Sequence, residues 1–416
     1  MYKRHILDNG IRVLTEEVPH LSSLSLGIWV TRGSRDEGAD KGGISHFIEH
    51  LLFKGTKNRT AFDIAKEIDS VGGILNAFTS RECTCFYAKV LGKDVRLAVD
   101  LLSDILLNSL FDPEEMEKER GVILQEIKMV EDTPDDLVHD LFAQSFWKGH
   151  PLGSSILGNT STVMSISRDC IRSYFQRFYS PEAIVISAAG NLKHEELISL
   201  LNDAFGGLVN KHQERNISSP TSHPEVLINN KELEQVHLCL GTTAHPISHD
   251  HRYNAYMLNT ILGTGMSSRL FQEIREKRGL VYSVYSYINA YVDIGSLVVY
   301  AGMNRNTFSE VVSLILKEFD RLRDKEVEDS EIYTAKEHLK GNMLLAMEGS
   351  ESRMNKLARD EIYFGRHIPV KEIMDKVDKV SSTDIIELAR EMFLPTSLAL
   401  TALGKVDRGD VPQGFC

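Results

Sequence analysis

The chain contains a stretch in which potential metal ligands and an apolar helical pattern coincide: Gly42-Gly43-Ile44-Ser45-His46-Phe47-Ile48-Glu49-His50-Leu51-Leu52-Phe53. His46 and His50 are four residues apart, so on a helix both imidazoles lie on one face, close enough to ligate one cation. Glu49 borders the same face. Imidazole nitrogen is a good ligand for zinc, and a neighbouring carboxylate can take a proton from water. The stretch therefore predicts metal ligands and a general base on one turn of helix.

The alternative interpretation is a pair of surface histidines on an amphipathic helix. The flanking residues argue against it, because they make the helix apolar nearly all round and so predict burial: Phe47, Ile48, Leu51, Leu52 and Phe53. Buried histidines and a buried glutamate need partners. The order H-x-x-E-H is also the inverted zinc-protease signature.

The bulk composition is that of a soluble globular protein. A length of 416 residues predicts two domains of roughly 200 residues each. Apolar residues make up 42% and charged residues 25%, which are ordinary globular values. The net charge of −12 argues against nucleic acid as a partner and is compatible with peptide ligands.

Cysteine usage and the N-terminus both favour a cytoplasmic protein. The five cysteines are scattered and odd in number, which predicts reduced thiols and no disulfide framework. Cys83 and Cys85 could face one side of a strand as a second metal pair, but they fit better as small packing residues. The N-terminus lacks the apolar core of a secretory signal, and no apolar run is long enough to span a bilayer.

Two internal similarities predict a tandem duplication of one α+β unit. Residues 73–80 resemble residues 279–286, and residues 146–151 line up with residues 364–369. Residues 210–223 are rich in Pro, Ser, Asn and charge without periodicity, as in a linker. The predicted domains are therefore 1–209, with the metal-binding residues, and 224–416, a homologous copy.

The second domain is predicted to lack metal ligands. If Gly55 corresponds to Gly263, the three motif residues His46, Glu49 and His50 fall opposite Asn254, Met257 and Leu258. These side chains cannot form a zinc site.

A catalytic zinc needs a third protein ligand, which the motif does not supply. Glu119 and Glu126 are candidates because they are seven residues apart and share one face of the helix predicted from Pro113. Apolar residues surround Glu126, so a solvated helix face suits it poorly, whereas it suits Glu114, Glu115 and Glu117 well.

These residues resemble the M16 metallopeptidases, whose signature is H-x-x-E-H followed about 76 residues later by a ligand glutamate. Here Glu126 follows His50 by 76 residues. The resemblance implies that His46, His50 and Glu126 bind Zn²⁺, that Glu49 is the general base, and that Glu119 orients a ligand histidine.

The resemblance also implies substrate contacts. Arg275 and Tyr282 have the spacing of an Arg-x6-Tyr pair that in the family reaches the substrate and the developing oxyanion. Asn76 and Ala77 match an edge strand that pairs with an extended peptide, although Asn76 could also be a turn residue. The chain looks most similar to bacterial two-domain members that resemble the mitochondrial processing peptidase β subunit. It lacks the long glycine-rich loop of that enzyme's partner subunit, since Gly263-Thr264-Gly265-Met266 is short.

The resemblance implies an α+β fold of two homologous domains, each a mainly antiparallel sheet with helices packed on one side, enclosing a chamber. The implied activity is zinc-dependent endopeptidase cleavage of unfolded oligopeptides or precursor peptides, and the implied assembly is a homodimer. Three alternatives stay open: a non-catalytic scaffolding subunit, a peptide-binding module with structural zinc, and a chain active only in a heterodimer. The intact motif argues against the first and Glu49 against the second, since a structural site is closed by a fourth protein ligand.

Overall fold

The computed structural model describes residues 1–209, 215, 217–412 and 415. The predicted linker, 210–223, falls partly outside this range, because residues 210–214 and 216 are not among the described residues. The chain forms two compact units, each assembled from three separate segments.

The described residues contain strands and α-helices in both halves of the chain. The strands are β1 Tyr2–Ile6, β2 Arg12–Glu17, β3 Ser23–Val30, β4 Ile74–Thr79, β5 Thr84–Leu91, β6 Ile184–Gly190, β7 Val226–Asn230, β8 Val236–Ala244, β9 Val281–Ala290, β10 Gly295–Met303 and β11 Ala399–Gly404. The helices are α1 Ile44–Leu52, α2 Ala61–Ser70, α3 Val95–Asn108, α4 Pro113–Glu131, α5 Pro134–Phe146, α6 Thr160–Ser165, α7 Arg168–Phe178, α8 His194–Phe205, α9 Arg252–Gly263, α10 Phe308–Asp324, α11 Asp329–Ala346, α12 Ser350–Phe364, α13 Val370–Lys379 and α14 Ser382–Met392.

Local sequence explains where the helices near the motif begin and end. Thr60 and Asp63 form a reciprocal capping box at the start of α2, which satisfies two backbone N–H groups that a helix start leaves unpaired. The helix is followed by Gly72 in the left-handed conformation, at φ +62°. At the start of α4, the Asp112 carboxylate accepts a hydrogen bond from the Glu114 backbone N–H, and Pro113 occupies the first helical position.

The first unit comprises residues 1–129, 154–217 and 345–367. Its sheet has the order β1-β2-β6-β3-β5-β4. All neighbouring strands are antiparallel except β2 and β6, which are parallel. A large apolar core joins this sheet to helices that include α1, α3 and α8. Strand β4 is an edge of the sheet, so one side of its backbone has no strand neighbour.

The second unit comprises residues 130–153, 218–344 and 368–416. Its sheet has the order β7-β11-β8-β10-β9, with β7 and β11 parallel and the other pairs antiparallel. This order repeats that of the first sheet without β1. Met257 and Leu258 on α9 are completely buried in the second core. The predicted fold class, two α+β domains with mainly antiparallel sheets, is confirmed.

Each sheet also carries one helix on its other face, which the sequence interpretation did not anticipate. In the first unit this helix is α12, whose Met354, Leu357 and Ala358 pack on apolar side chains of the sheet. In the second unit it is α5, which contributes Val138 and Phe142.

Helix α5 comes from the first half of the sequence but belongs to the second unit, and helix α12 comes from the second half but belongs to the first unit. The two halves have in this sense exchanged a helix. The compact units differ from the ranges 1–209 and 224–416 by these exchanged segments, and those ranges stay a prediction about the sequence repeat.

Candidate metal centre

Helix α1 begins at a tightly constrained turn. Gly43, immediately before the helix, has φ +92°, which an L-amino acid with a side chain rarely adopts. A Cβ at Gly43 would lie 2.4 Å from the backbone oxygen of Leu157. The buried Glu37 carboxylate accepts hydrogen bonds from the backbone N–H of Gly43, at 2.7 Å, and of Ser45, at 2.8 Å. Glu37 therefore supplies the cap for the helix that carries the motif.

The first unit brings the three predicted metal ligands together. Glu126 Oε2 lies 3.7 Å from His46 Nε2 and 3.6 Å from His50 Nε2. All three potential ligand atoms lie within 4.8 Å of one another. In the described residues, no other group of three His, Cys, Asp or Glu side chains is brought this close.

This donor set fits a zinc ion. Tetrahedral ligation with bonds of about 2.0–2.1 Å places ligand atoms roughly 3.3 Å apart, close to the spacing found here. Glu126 Oε2 is buried and has no hydrogen-bond partner among the described residues, and a buried carboxylate oxygen without a partner is costly. A cation between the three atoms would satisfy it. Two imidazoles and one carboxylate leave a coordination position open, as in catalytic sites and unlike closed structural sites.

The protonation state of His46 suits ligation. The pKa of His46 is lowered to about 4, mainly because the side chain is buried and to a smaller extent because His50 is its neighbour. The imidazole is therefore neutral at pH 7, the state in which its nitrogen can donate a lone pair to a metal.

Glu119 contacts Nδ1 of His50, the ring nitrogen that is not directed at Glu126, as expected of a carboxylate that orients a ligand histidine. The buried Glu119 places Oε2 3.0 Å from His50 Nδ1, so that His50 Nδ1–H donates to it and leaves Nε2 toward Glu126. Its other oxygen, Oε1, lies 2.8 Å from the ammonium of Lys54. Lys54 was not predicted as a site residue. Its spacing of four residues after His50 is the only sequence signal that points to it.

Glu49 lies on the same helix and contacts the end of strand β4. The Thr79 hydroxyl donates to Glu49 Oε2 at 2.6 Å. Burial raises the pKa of Glu49, while the hydrogen bond from Thr79 opposes that rise. A raised pKa suits a carboxylate that both accepts and returns a proton near neutral pH.

Asn76 and Ala77 lie on the edge strand β4, as predicted. The Asn76 side chain is exposed, and its Oδ1 accepts a hydrogen bond from the Ala77 backbone N–H at 2.8 Å. Asn76 is thus a strand residue, and the interpretation as a turn residue is wrong.

Arg275 and Tyr282 lie together in the second unit. The Arg275 guanidinium lies 4.8 Å from the centre of the Phe271 ring and 5.8 Å from that of the Tyr282 ring. Tyr282 is 78% exposed at the start of edge strand β9. The participation of this pair in catalysis stays a prediction.

Comparison with known proteins defines the class. The model for insulinase, peptidase family M16, matches residues 12–160, and the model for the peptidase M16 inactive domain matches residues 165–339. An uncharacterized zinc protease of Bacillus subtilis, YmxG, is 40% identical over 94% of this chain and 96% of the relative. An uncharacterized zinc protease of Mycobacterium leprae is also 40% identical, over 94% of this chain and 88% of the relative.

Solved structures share the fold. A protease from Helicobacter pylori has a TM-score of 0.91 at 21% identity, covering 97% of this chain and 99% of that one. A peptidase M16 inactive domain protein from Pseudomonas fluorescens has a TM-score of 0.91 at 16% identity, covering 98% of each chain.

The sequence matches and the donor set together define a zinc-protease type of protein. The chain belongs to peptidase family M16, the insulinase family. Zn²⁺ is the cofactor that this family implies. No helix among the described residues is long and apolar enough to cross a membrane.

Proposed function

We propose that this chain is a zinc-dependent endopeptidase that hydrolyses unfolded oligopeptides or precursor peptides. The observation that carries the proposal is the buried, unpartnered Glu126 Oε2 facing the Nε2 atoms of His46 and His50 at 3.7 and 3.6 Å. Glu49 on the same helix supplies the proton-transfer group that a peptidase needs and a structural zinc site does not.

His46, His50 and Glu126 hold the metal, and Glu119 keeps His50 in the tautomer that presents Nε2. When bound, Zn²⁺ supplies Lewis-acid chemistry, polarising a peptide carbonyl and lowering the pKa of water. Because His46 and His50 are imidazoles and only Glu126 is a carboxylate, these ligands would leave part of the charge of a bound Zn²⁺ uncompensated.

Glu49 moves the proton. Its carboxylate takes a proton from the attacking water and passes it to the leaving amine as the peptide C–N bond breaks. Partial burial removes bulk water from the carboxylate and raises its pKa.

The edge strand β4 binds the substrate backbone. An extended peptide adds to a free strand edge by main-chain hydrogen bonds, and Asn76 and Ala77 lie in the middle of that edge. Binding by the main chain requires an unfolded substrate, because folded proteins rarely offer an unpaired extended segment.

The remaining parts of the proposal rest on the family resemblance. They are the approach of Arg275 and Tyr282 to the substrate carbonyl, the enclosure of the substrate in a chamber, and assembly as a homodimer. A cytoplasmic location rests on the sequence features described above.

The experiment that tests the proposal compares the wild-type chain with Glu49→Gln. Zinc is measured by elemental analysis and cleavage by a quenched fluorescent peptide library. We expect about one zinc per chain in both proteins. Cleavage by Glu49→Gln should fall by about 10²- to 10⁴-fold, the contribution of a general base.

Glu114→Gln is the matched control, because it makes the same chemical change at an exposed residue of α4. It should cleave like the wild type. Equal cleavage by Glu49→Gln and wild type would refute the role of Glu49. Zinc binding without cleavage by the wild type would refute a self-sufficient peptidase and favour a partner-dependent or peptide-binding subunit.

A further inference from the structure

The end of the edge strand is bonded to the general base. Thr79, the last residue of β4, donates its hydroxyl hydrogen to Glu49 Oε2 at 2.6 Å. A threonine hydroxyl rotates on one bond only, and its β-branched side chain has few rotamers. The hydrogen bond from this hydroxyl therefore fixes the orientation of the carboxylate.

Strand geometry explains why this contact is formed by residue 79. Side chains alternate between the two faces of a strand, and Ile74, Asn76 and Phe78 are exposed on one face. Leu75 and Ala77 lie on the other face and pack against the apolar core that includes α1. Thr79 follows them on that same face, so the register of β4 delivers its hydroxyl to helix α1.

The contact leaves one carboxylate oxygen of Glu49 for chemistry. Oε2 is engaged by Thr79, so Oε1 is the oxygen that is available to a water molecule. The same strand offers its free edge to a peptide. The edge strand that is proposed to bind the peptide therefore also carries the residue that contacts the base.

We propose that Thr79 is a positioning residue, which holds the Glu49 carboxylate in its reactive orientation and connects it rigidly to the strand that binds the substrate. This inference rests on the proposed peptidase function. It predicts that loss of the hydroxyl lowers the rate of the chemical step and leaves substrate binding intact, because the substrate contacts lie elsewhere on β4.

The test uses Thr79→Val, which keeps the shape of the side chain and removes the hydroxyl, together with Thr79→Ser, which keeps the hydroxyl. A quenched fluorescent peptide selected with the wild-type enzyme serves as substrate. We expect kcat of Thr79→Val to fall by about 10- to 100-fold, the usual effect of a lost hydrogen bond to a charged group. KM should stay within about 2-fold, and Thr79→Ser should regain most of the rate.

Thr84→Val is the matched control. Thr84 pairs directly with Thr79 across the β4–β5 ladder, but its hydroxyl donates to the Arg32 backbone oxygen. The same substitution there removes a hydroxyl that does not contact Glu49. Equal losses of kcat in Thr79→Val and Thr84→Val, or a loss of zinc in Thr79→Val, would overturn the proposal in favour of a structural role.

A binding measurement separates this proposal from the proposed function. Acetohydroxamate, a small zinc-binding probe that also hydrogen bonds to a nearby carboxylate, is titrated by calorimetry into the zinc-loaded proteins. We expect Thr79→Val to raise its Kd by about 5- to 10-fold, since hydrogen bonds to charged groups are strong, and Thr84→Val to leave it unchanged.

The acetohydroxamate titration does not depend on peptide cleavage. If the wild type cleaves no peptide, the proposed function fails, and the acetohydroxamate Kd still decides whether Thr79 orients Glu49. An unchanged Kd in Thr79→Val refutes the positioning role.

Discussion

At the scale of single residues, the ligand histidine His50 is held by Glu119, which in turn forms an ion pair with Lys54. His50 Nδ1 contacts Glu119, and Glu119 contacts the Lys54 ammonium at 2.8 Å. The ion pair with Lys54 fixes the position of the Glu119 side chain, because a charged ammonium donor forms a strong hydrogen bond to a carboxylate. A fixed Glu119 keeps the His50 ring oriented with its opposite nitrogen toward the other ligands, which makes that nitrogen a better ligand.

Removal of the Lys54 charge should weaken zinc binding. In Lys54→Met we expect the Kd for zinc to rise by about 10-fold, at the lower end of the range for residues behind metal ligands. Competition with a chromophoric chelator measures it. Lys57→Met is the control, because Lys57 is exposed and does not contact Glu119. Equal zinc affinities in Lys54→Met and wild type would show that Glu119 acts without Lys54.

Whether a site residue could be predicted from the sequence depends on how far along the chain its contacts lie. His46, Glu49 and His50 follow from helical spacing within one turn. Glu126 could be proposed from its apolar neighbours, but its selection as the third ligand needed the family resemblance. Thr79 gave no signal, because its contact with Glu49 depends on how a strand end meets a helix 30 residues earlier in the chain.

At the scale of elements, helix α1 depends on the glycine before it. Gly43 combines φ +92° with a close approach to the Leu157 backbone oxygen, so a side chain does not fit there. The helix start, its Glu37 cap and the position of His46 one turn later are therefore one structural unit.

Gly43→Ala should destabilise the protein and weaken the metal centre. The strained φ alone costs about 1–3 kcal/mol, and the conflict with Leu157 adds to it. Urea unfolding measures the loss, and elemental analysis should show reduced zinc.

Gly121→Ala is the control for Gly43→Ala. Gly121 is an exposed residue inside α4 where an added Cβ meets no atom within 4 Å. This change should stabilise by about 0.5–1 kcal/mol. A stable, zinc-replete Gly43→Ala would contradict the constraint on the start of α1.

Most elements near the site could be predicted from sequence. The helix predicted from Pro113 is found as α4, Pro113–Glu131. Asp112 and Pro113 define its start, because they satisfy the N–H groups that a helix start leaves unpaired. The faces that α5 and α12 cover could not be predicted, because apolar periodicity shows that a helix is buried but does not identify the sheet it packs on.

At the scale of the whole molecule, each half of the chain completes the unit of the other. Helix α12 belongs to the second half of the sequence and covers one face of the first sheet, where Leu14, Trp29 and Val185 are almost fully buried. Without α12 this apolar face is open to water.

A chain ending at residue 209 should therefore fail to fold by itself. We expect residues 1–209 expressed alone to aggregate or to bind a dye specific for exposed apolar surface. Co-expression with residues 210–416 should restore a soluble, zinc-binding complex that migrates as one species in gel filtration. Cooperative unfolding and stoichiometric zinc binding by residues 1–209 alone would refute this dependence.

The exchanged helix also has a consequence for the order of events during synthesis. The ribosome finishes α8 at Phe205 but must add about 160 further residues before α12 is complete at Phe364. At about 5–20 residues per second this takes roughly 8 to 30 seconds. During that interval the nascent first sheet carries an uncovered apolar face, the kind of surface through which incomplete chains aggregate. The yield of folded protein thus depends on how quickly the second half is translated.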